Sequence, residues 1–158
     1  MLLSEGITSY PAISDHIDRT RPLTYFASGG GSLGWNGGAA VGMKLAAPEK
    51  IFVPSTVYWM ARHYRAPFLQ VVYNNRGWKA PKYSTLAVHL DGYASRAGDI
   101  DVSFDPPPDY AGIAAAAGGA FVRTVKSAAD LDGAIREALR AVREEKRSAV
   151  LDVWLPRL

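Results

Sequence analysis

The sequence predicts an α/β domain with a doubly wound, mostly parallel sheet that carries helices on both faces. Three observations support this fold class. Short apolar runs alternate with longer helix-favouring runs, residues 68–73 are apolar almost throughout, and turns rich in glycine or asparagine follow two of the apolar runs. Strands separated by helices run parallel, and a parallel strand covered on both faces is apolar along its length. A chain of 158 residues fits one such domain.

The first half of the chain predicts two strands and two helices. Residues 24–28 form a short apolar run before a glycine, which predicts a strand. Residues 33–47 are mostly small and helix-permissive, and the proline at 48 ends that helix. Residues 54–64 predict a helix that opens with proline. Residues 68–73 predict a strand buried on both faces.

The second half predicts a long loop and then alternating helices and strands. Residues 76–108 are rich in Gly, Pro, Asp and Ser and predict an irregular loop that is functional or mobile. The elements predicted after it are, in order, a helix over 110–117 stopped by two glycines, a strand over 120–125, a helix capped by Ser127 and running to about Lys146, and a strand over 149–155.

Composition and charge exclude several classes of function. There is no cysteine, so disulfides, thiolate metal sites and thiol nucleophiles are excluded. The net charge is only +3, and the positive residues of the last helix are interleaved with glutamates, which predicts a solvated face and no nucleic-acid partner. Residues 1–6 lack the basic region and long apolar run of a signal peptide, and no apolar segment is long enough to span a membrane. We therefore expect a cytoplasmic protein with no membrane partner.

The run Gly29–Gly34 contains the spacing Gly-x-Gly-x-x-Gly between a predicted strand and a predicted helix. This spacing is the fingerprint of dinucleotide sites, and Glu49 lies where the ribose-binding acid is expected. No apolar run precedes Glu49, as a second strand would require. A dinucleotide-binding oxidoreductase therefore stays an alternative, as does a purely structural tight turn. The main hypothesis is a different diphosphate cofactor.

The strand predicted over residues 68–73 ends in Asn74-Asn75-Arg76-Gly77. Polar groups that follow a parallel strand lie at the edge of the sheet where ligands bind. Asparagine oxygens and turn carbonyls are hard ligands that can bind a hard cation. Trp78, directly after this turn, is expected to line the same cleft, and the other tryptophans are expected in the core or in an interface.

The order of these motifs resembles the thiamine diphosphate-dependent enzymes. The chain is similar, over residues 1–158, to the C-terminal, diphosphate-binding domain of the acetolactate synthase and 2-oxoacid decarboxylase group. The segments that carry the resemblance are the glycine-rich turn, the helix with Tyr58-Trp59-Met60-Ala61-Arg62, the Asn-Asn-x-Gly turn, residues 105–110 and residues 150–153. The resemblance implies thiamine diphosphate and Mg²⁺ as cofactors, a 2-oxoacid substrate, and a lyase or transferase activity by decarboxylation or carboligation.

The resemblance also implies roles for particular residues. The Asn75 side-chain oxygen and the Gly77 carbonyl correspond to Mg²⁺ ligands. The Gly31 carbonyl corresponds to the group that orients the aminopyrimidine of the cofactor, and Leu33 to the apolar residue that holds the cofactor bent. Ser32 and Thr8 complete the implied cofactor-binding set.

One departure from the family lies between Lys50 and Ile51. The family's metal motif opens with Gly-Asp-Gly at the end of a strand, and this strand and turn, roughly a dozen residues, are missing. Asn75 and Gly77 are neutral ligands and are not expected to hold Mg²⁺ tightly without that aspartate. Because the loss of a central strand is hard to accommodate in a packed sheet, an incomplete sequence is favoured over a natural deletion.

A second departure is that this chain has no catalytic residue of its own. In the family the general acid is a glutamate on a pyrimidine-binding domain, usually of a neighbouring subunit, and Glu5 and Glu49 are poor substitutes. The chain is therefore expected to need a partner subunit or domain, most simply in a homo-oligomer, and to be inactive alone. The alternative is a non-catalytic fragment that only folds or pairs.

Overall fold

The computed structural model describes residues 2–5, 10–17, 20–22, 24–27, 34–45, 56–88, 90–98 and 102–157. Its strands and helices are, in chain order, β1 (Leu2–Ser4), α1 (Tyr10–His16), β2 (Tyr25–Ala27), α2 (Trp35–Leu45), α3 (Thr56–His63), β3 (Leu69–Asn74), α4 (Lys79–Val88), α5 (Tyr93–Ala97), α6 (Tyr110–Gly118), β4 (Phe121–Val125), α7 (Leu131–Arg143) and β5 (Ala149–Trp154).

The described strands pair in parallel throughout. β1 pairs with β2, and a second sheet has the order β3-β5-β4, with Leu151 of the central strand opposite Val71 on one side and Arg123 on the other. Each connection within the second sheet crosses through helices, as parallel strands require. The predicted α/β fold class is confirmed.

Helices cover both faces of the second sheet. On one face α3 and α6 pack on Val150 of β5 through Tyr58 and Ala114, among other residues. On the other face α7 packs on Ala149 and Leu151. The residues by which α7 makes this contact are Ala134, Ala138 and Ala141. Their spacing of four and three positions puts them on one side of the helix, and their small size lets the helix lie close to the sheet.

The ends of α6 follow from its flanking residues. The Asp109 side chain accepts a hydrogen bond from the Gly112 N–H at 2.7 Å and caps the first turn. Gly119 has a φ of +65° and its N–H donates to the Ala115 carbonyl, which ends the helix. A Cβ at Gly118 would collide with the backbone of Tyr58, so this glycine allows α6 to lie directly on α3.

The predicted irregular loop over residues 76–108 is wrong in part, because α4 and α5 lie within it. Its proline and serine content suggested irregular backbone, but Pro81 falls in the first turn of α4, where a missing N–H breaks no helical hydrogen bond. Among the described helices of the chain, none is long and apolar enough to cross a membrane.

The prediction that β3 is buried on both faces is also wrong for the described structure. Val71 is 38% exposed and Tyr73 is 47% exposed. β3 lies at an edge of the three-stranded sheet, and α7 packs mainly over β4 and β5. The apolar run therefore identified the strand correctly but not its position in the sheet.

Candidate functional site

The turn after β3 lies at the carboxyl edge of the parallel sheet. The Oδ1 atom of Asn74 accepts a hydrogen bond from the Arg76 N–H at 3.1 Å, and Oδ1 of Asn75 accepts one from the Gly77 N–H at 3.1 Å. Both asparagines thus close turns onto the backbone two residues ahead. Arg76 takes a φ of +58°, in the left-handed region. The two carboxamides hold the backbone in this shape.

Residues 102–104 pass so close to the turn that position 77 must be a glycine. The Trp78 N–H donates to the Val102 carbonyl at 2.7 Å, and the Phe104 N–H donates to the Arg76 carbonyl at 2.8 Å. A Cβ on Gly77 would lie 2.7 Å from the Val102 oxygen, closer than carbon and oxygen approach in proteins. The glycine therefore lets residues 102–104 lie against the turn.

Asn75 and Gly77, the two predicted Mg²⁺ ligands, both belong to this turn, and each has acceptor capacity left. Asn75 Oδ1 accepts one hydrogen bond and has a second lone pair. The Gly77 carbonyl accepts no backbone hydrogen bond from the described residues, and Pro81, four positions on, has no N–H to donate. Both are hard oxygen donors, which is the ligand chemistry that Mg²⁺ prefers.

Charged ligands for such an ion are not clustered in the described ranges. No group of three or more histidine and carboxylate side chains that could hold a metal occurs there. The two oxygens on the turn are neutral, so they need further oxygens, such as those of a diphosphate, to complete the coordination. The Lys50–Ile51 junction lies outside the described residues, and the missing aspartate stays a prediction.

The remaining predicted cofactor residues, Gly31, Ser32, Leu33 and Thr8, also lie outside the described residues. The structure describes what flanks the glycine-rich turn. Ser4 of β1 lies opposite Ala27 of β2, just before the turn. Beyond the turn, α2 packs on α3, with Val41 and Val57 in one core cluster.

Glu5 has a role that the sequence did not reveal. Its carboxylate accepts hydrogen bonds from the Gly34 N–H at 3.1 Å and from the Asn36 N–H at 2.7 Å. It therefore binds the N-terminus of α2, where backbone N–H groups favour a negative charge. A carboxylate held in this way is engaged in a structural contact.

Asp152 is a second group that the sequence analysis missed. Asp152 and Asn74 are each only 3% exposed and lie on the face of the sheet that α3 and α6 cover. The Trp154 indole N–H donates to Asp152 Oδ2 at 3.1 Å. Burial, followed by the charge of Asp152, raises the pKa of Tyr110. An acidic residue inside an otherwise apolar strand was the available signal.

The turn after β3 lies at the carboxyl edge of a parallel sheet, which is the edge where α/β domains bind their ligands. The family model described as "Thiamine pyrophosphate enzyme, C-terminal TPP binding domain" matches residues 6–153. The chain belongs to this family, so it is the thiamine diphosphate-binding domain of a thiamine diphosphate-dependent enzyme. This confirms the resemblance at the level of the family and favours thiamine diphosphate over a dinucleotide. No curated protein matches the chain.

Proposed function

We propose that this domain supplies the diphosphate and Mg²⁺ half of a site like that of acetolactate synthase. The enzyme acts on a 2-oxoacid by decarboxylation or carboligation, as a lyase or transferase. The observation that carries the proposal is the turn after β3, which carries both Asn75 Oδ1 and the Gly77 carbonyl, each with a lone pair that no backbone hydrogen bond in the described residues uses. Family membership supports the cofactor.

The residues of this chain have binding and orienting roles. Asn75, through its side-chain oxygen, and Gly77, through its carbonyl, would hold Mg²⁺, and the ion would supply positive charge for the cofactor's diphosphate. Gly31 would orient the aminopyrimidine, Leu33 would keep the cofactor bent, and Ser32 and Thr8 would contribute to cofactor binding. When bound, thiamine diphosphate supplies an electron sink for the carbanion that decarboxylation produces.

The protonation steps require a group from elsewhere. The general acid is a glutamate of a pyrimidine-binding domain, contributed by a partner subunit or by another part of the enzyme. The working unit is a cytoplasmic homo-oligomer of at least two subunits. Gel filtration at several concentrations, with and without cofactor, tests for the oligomer.

A second candidate function is a non-catalytic fragment that folds or pairs only, and it applies if the protein truly lacks the Gly-Asp-Gly turn. A thermal-shift titration distinguishes the cofactor-binding domain from the non-catalytic fragment. A ligand present at 100 times its dissociation constant stabilises a protein by about 2.7 kcal/mol. Under the proposal, thiamine diphosphate with Mg²⁺ raises the melting temperature and NAD does not.

The matched variant is Asn75→Ala, which removes one proposed ligand. It should need more Mg²⁺ than wild type for the same thiamine diphosphate-induced shift, and EDTA should abolish the shift in both. A cooperatively melting chain that thiamine diphosphate does not stabilise at any Mg²⁺ concentration points instead to the non-catalytic fragment. A shift with NAD alone points to the oxidoreductase.

A further inference from the structure

The turn after β3 is bound by residues at and beyond the end of β5. The Leu155 N–H donates to the Asn74 carbonyl at 2.9 Å. The Arg76 guanidinium donates through Nη2 to the Leu155 carbonyl at 2.9 Å, and Lys79 Nζ donates to the Pro156 carbonyl at 2.9 Å. The two side-chain bonds span 79 and 77 positions of sequence. We refer to residues 154–156 as the 154–156 segment.

An aromatic contact strengthens this attachment. The guanidinium carbon of Arg76 lies 4.9 Å from the centroid of the Trp154 ring, within the range of a cation–π contact. The orientation of that ring is fixed in turn, because its N–H is bound to the buried carboxylate of Asp152 at 3.1 Å. The contacts therefore run from the sheet interior through Trp154 to Arg76.

Arg76 and Lys79 are both cations, and each donates a hydrogen bond to a carbonyl of the 154–156 segment. Two cations repel each other, so both need acceptors to stay in place. The carbonyls of Leu155 and Pro156 are those acceptors.

Arg76 also lies between the two proposed metal ligands in sequence, and its backbone is in the left-handed region. That conformation is uncommon for a residue with a Cβ and persists where the surroundings impose it. A change in the backbone of Arg76 would move the Asn75 carboxamide and the Gly77 carbonyl relative to each other. Contacts that hold Arg76 therefore hold the spacing of those two oxygens.

We propose that the 154–156 segment and Arg76 are positioning residues that hold the turn after β3 in the shape that binds Mg²⁺. This inference rests on the proposed function for its metal, but the attachment itself does not. None of these residues is one of the two proposed metal ligands. Supporting residues around a metal typically contribute about tenfold to a hundredfold in metal affinity.

Amide hydrogen exchange tests the attachment without any ligand. In Arg76→Ala, the amides of Gly77 and Trp78 should exchange about tenfold faster than in wild type, as the loss of a hydrogen bond to a charged group predicts. Amides of α7 should not change, which shows that the fold is intact. Unchanged exchange at Gly77 and Trp78 overturns the attachment.

The matched control is Arg65→Ala. Arg65 is also an arginine with positive φ, +51°, but it lies in the turn after α3. Its removal should leave exchange at Gly77 and Trp78 at the wild-type rate. Arg76→Lys keeps a charged donor for the Leu155 carbonyl and should recover part of the protection.

Binding of Mn²⁺, followed by the electron paramagnetic resonance signal of the free ion with thiamine diphosphate present, tests the consequence for the metal. Arg76→Ala and Lys79→Ala should each raise the Mn²⁺ dissociation constant, by about tenfold for Arg76→Ala, and Arg65→Ala should not. Equal constants for Arg76→Ala and wild type overturn the positioning role. A wild-type chain that binds no Mn²⁺ overturns the proposed function, and the exchange experiment still decides the attachment.

Discussion

At the scale of single residues, Gly77 and Gly133 provide a matched pair of positions for testing glycine-to-alanine substitutions. A Cβ at Gly77 meets the Val102 oxygen at 2.7 Å, whereas one at Gly133 meets nothing within 4 Å. Gly77→Ala should therefore lower the free energy of unfolding by about 1–3 kcal/mol through overpacking. Gly133→Ala should raise it by about 0.5–1 kcal/mol, because alanine favours the helix α7. Urea unfolding measures both, and equal effects would contradict the close approach of residues 102–104.

Tyr58 should make stability depend on alkaline pH. Its hydroxyl donates to Gln70 Oε1 at 3.0 Å, and burial raises its pKa. Above about pH 10 the unfolded chain loses this phenolic proton while the folded chain keeps it. The stabilisation from Tyr58 is therefore complete below about pH 10 and is lost as the pH rises through the raised value.

The measurement is the urea midpoint between pH 8 and pH 11. The wild-type midpoint should fall more steeply above pH 10 than that of Tyr58→Phe, which has no phenolic proton to lose. Tyr93→Phe, at a highly exposed position, serves as the control. Parallel curves for wild type and Tyr58→Phe would show that burial does not hold the proton on Tyr58.

At the scale of secondary-structure elements, the N-terminus of α6 depends on one side chain. Asp109→Ala removes the hydrogen bond to the Gly112 N–H and should destabilise the fold by about 1 kcal/mol. Asp91→Ala, in the turn between α4 and α5, is the control for the loss of a charge. Chemical denaturation of the two variants compares them, and a loss as large in Asp91→Ala as in Asp109→Ala would argue against capping.

The sequence predicted best those helices whose ends carry a capping residue or a glycine. Asp109 and Gly119 bound α6, and Ser127, whose side chain accepts from the Ala129 N–H, precedes the helical stretch that leads into α7. Helix α7 was predicted to run to about Lys146 but ends at Arg143. Lys146 itself takes a positive φ of 54°. Helices α4 and α5 were missed because proline, glycine and serine in short helices mimic loop composition.

The residues of the candidate site also divide into those that a local sequence signal marks and those that none marks. Asn75 and Gly77 lie where an apolar strand meets a turn. Both the hydrophobic pattern of the strand and the family resemblance locate this boundary. Glu5 was missed because the backbone groups that it binds lie far away in sequence. No local pattern shows that the Glu5 carboxylate reaches an N–H group 31 positions on.

At the scale of the whole molecule, the chain should bind cofactor without turning over substrate. The domain has binding groups, but the proposed general acid belongs to another domain. The purified chain with thiamine diphosphate, Mg²⁺ and pyruvate should release no carbon dioxide above the rate of free cofactor. Addition of a subunit that carries a pyrimidine-binding domain should restore release, and robust turnover by the chain alone would refute the need for a second domain.

The strand order β3-β5-β4 has a consequence for biosynthesis. β5 lies between the other two strands, yet it is translated after both of them. While the ribosome is still reading the codons for β5, β3 and β4 have no shared neighbour, and each exposes backbone groups that invite pairing with other nascent chains. A pause in translation between β4 and β5 would prolong that state. Chaperones that bind nascent chains should therefore affect the yield of this domain more than its final stability.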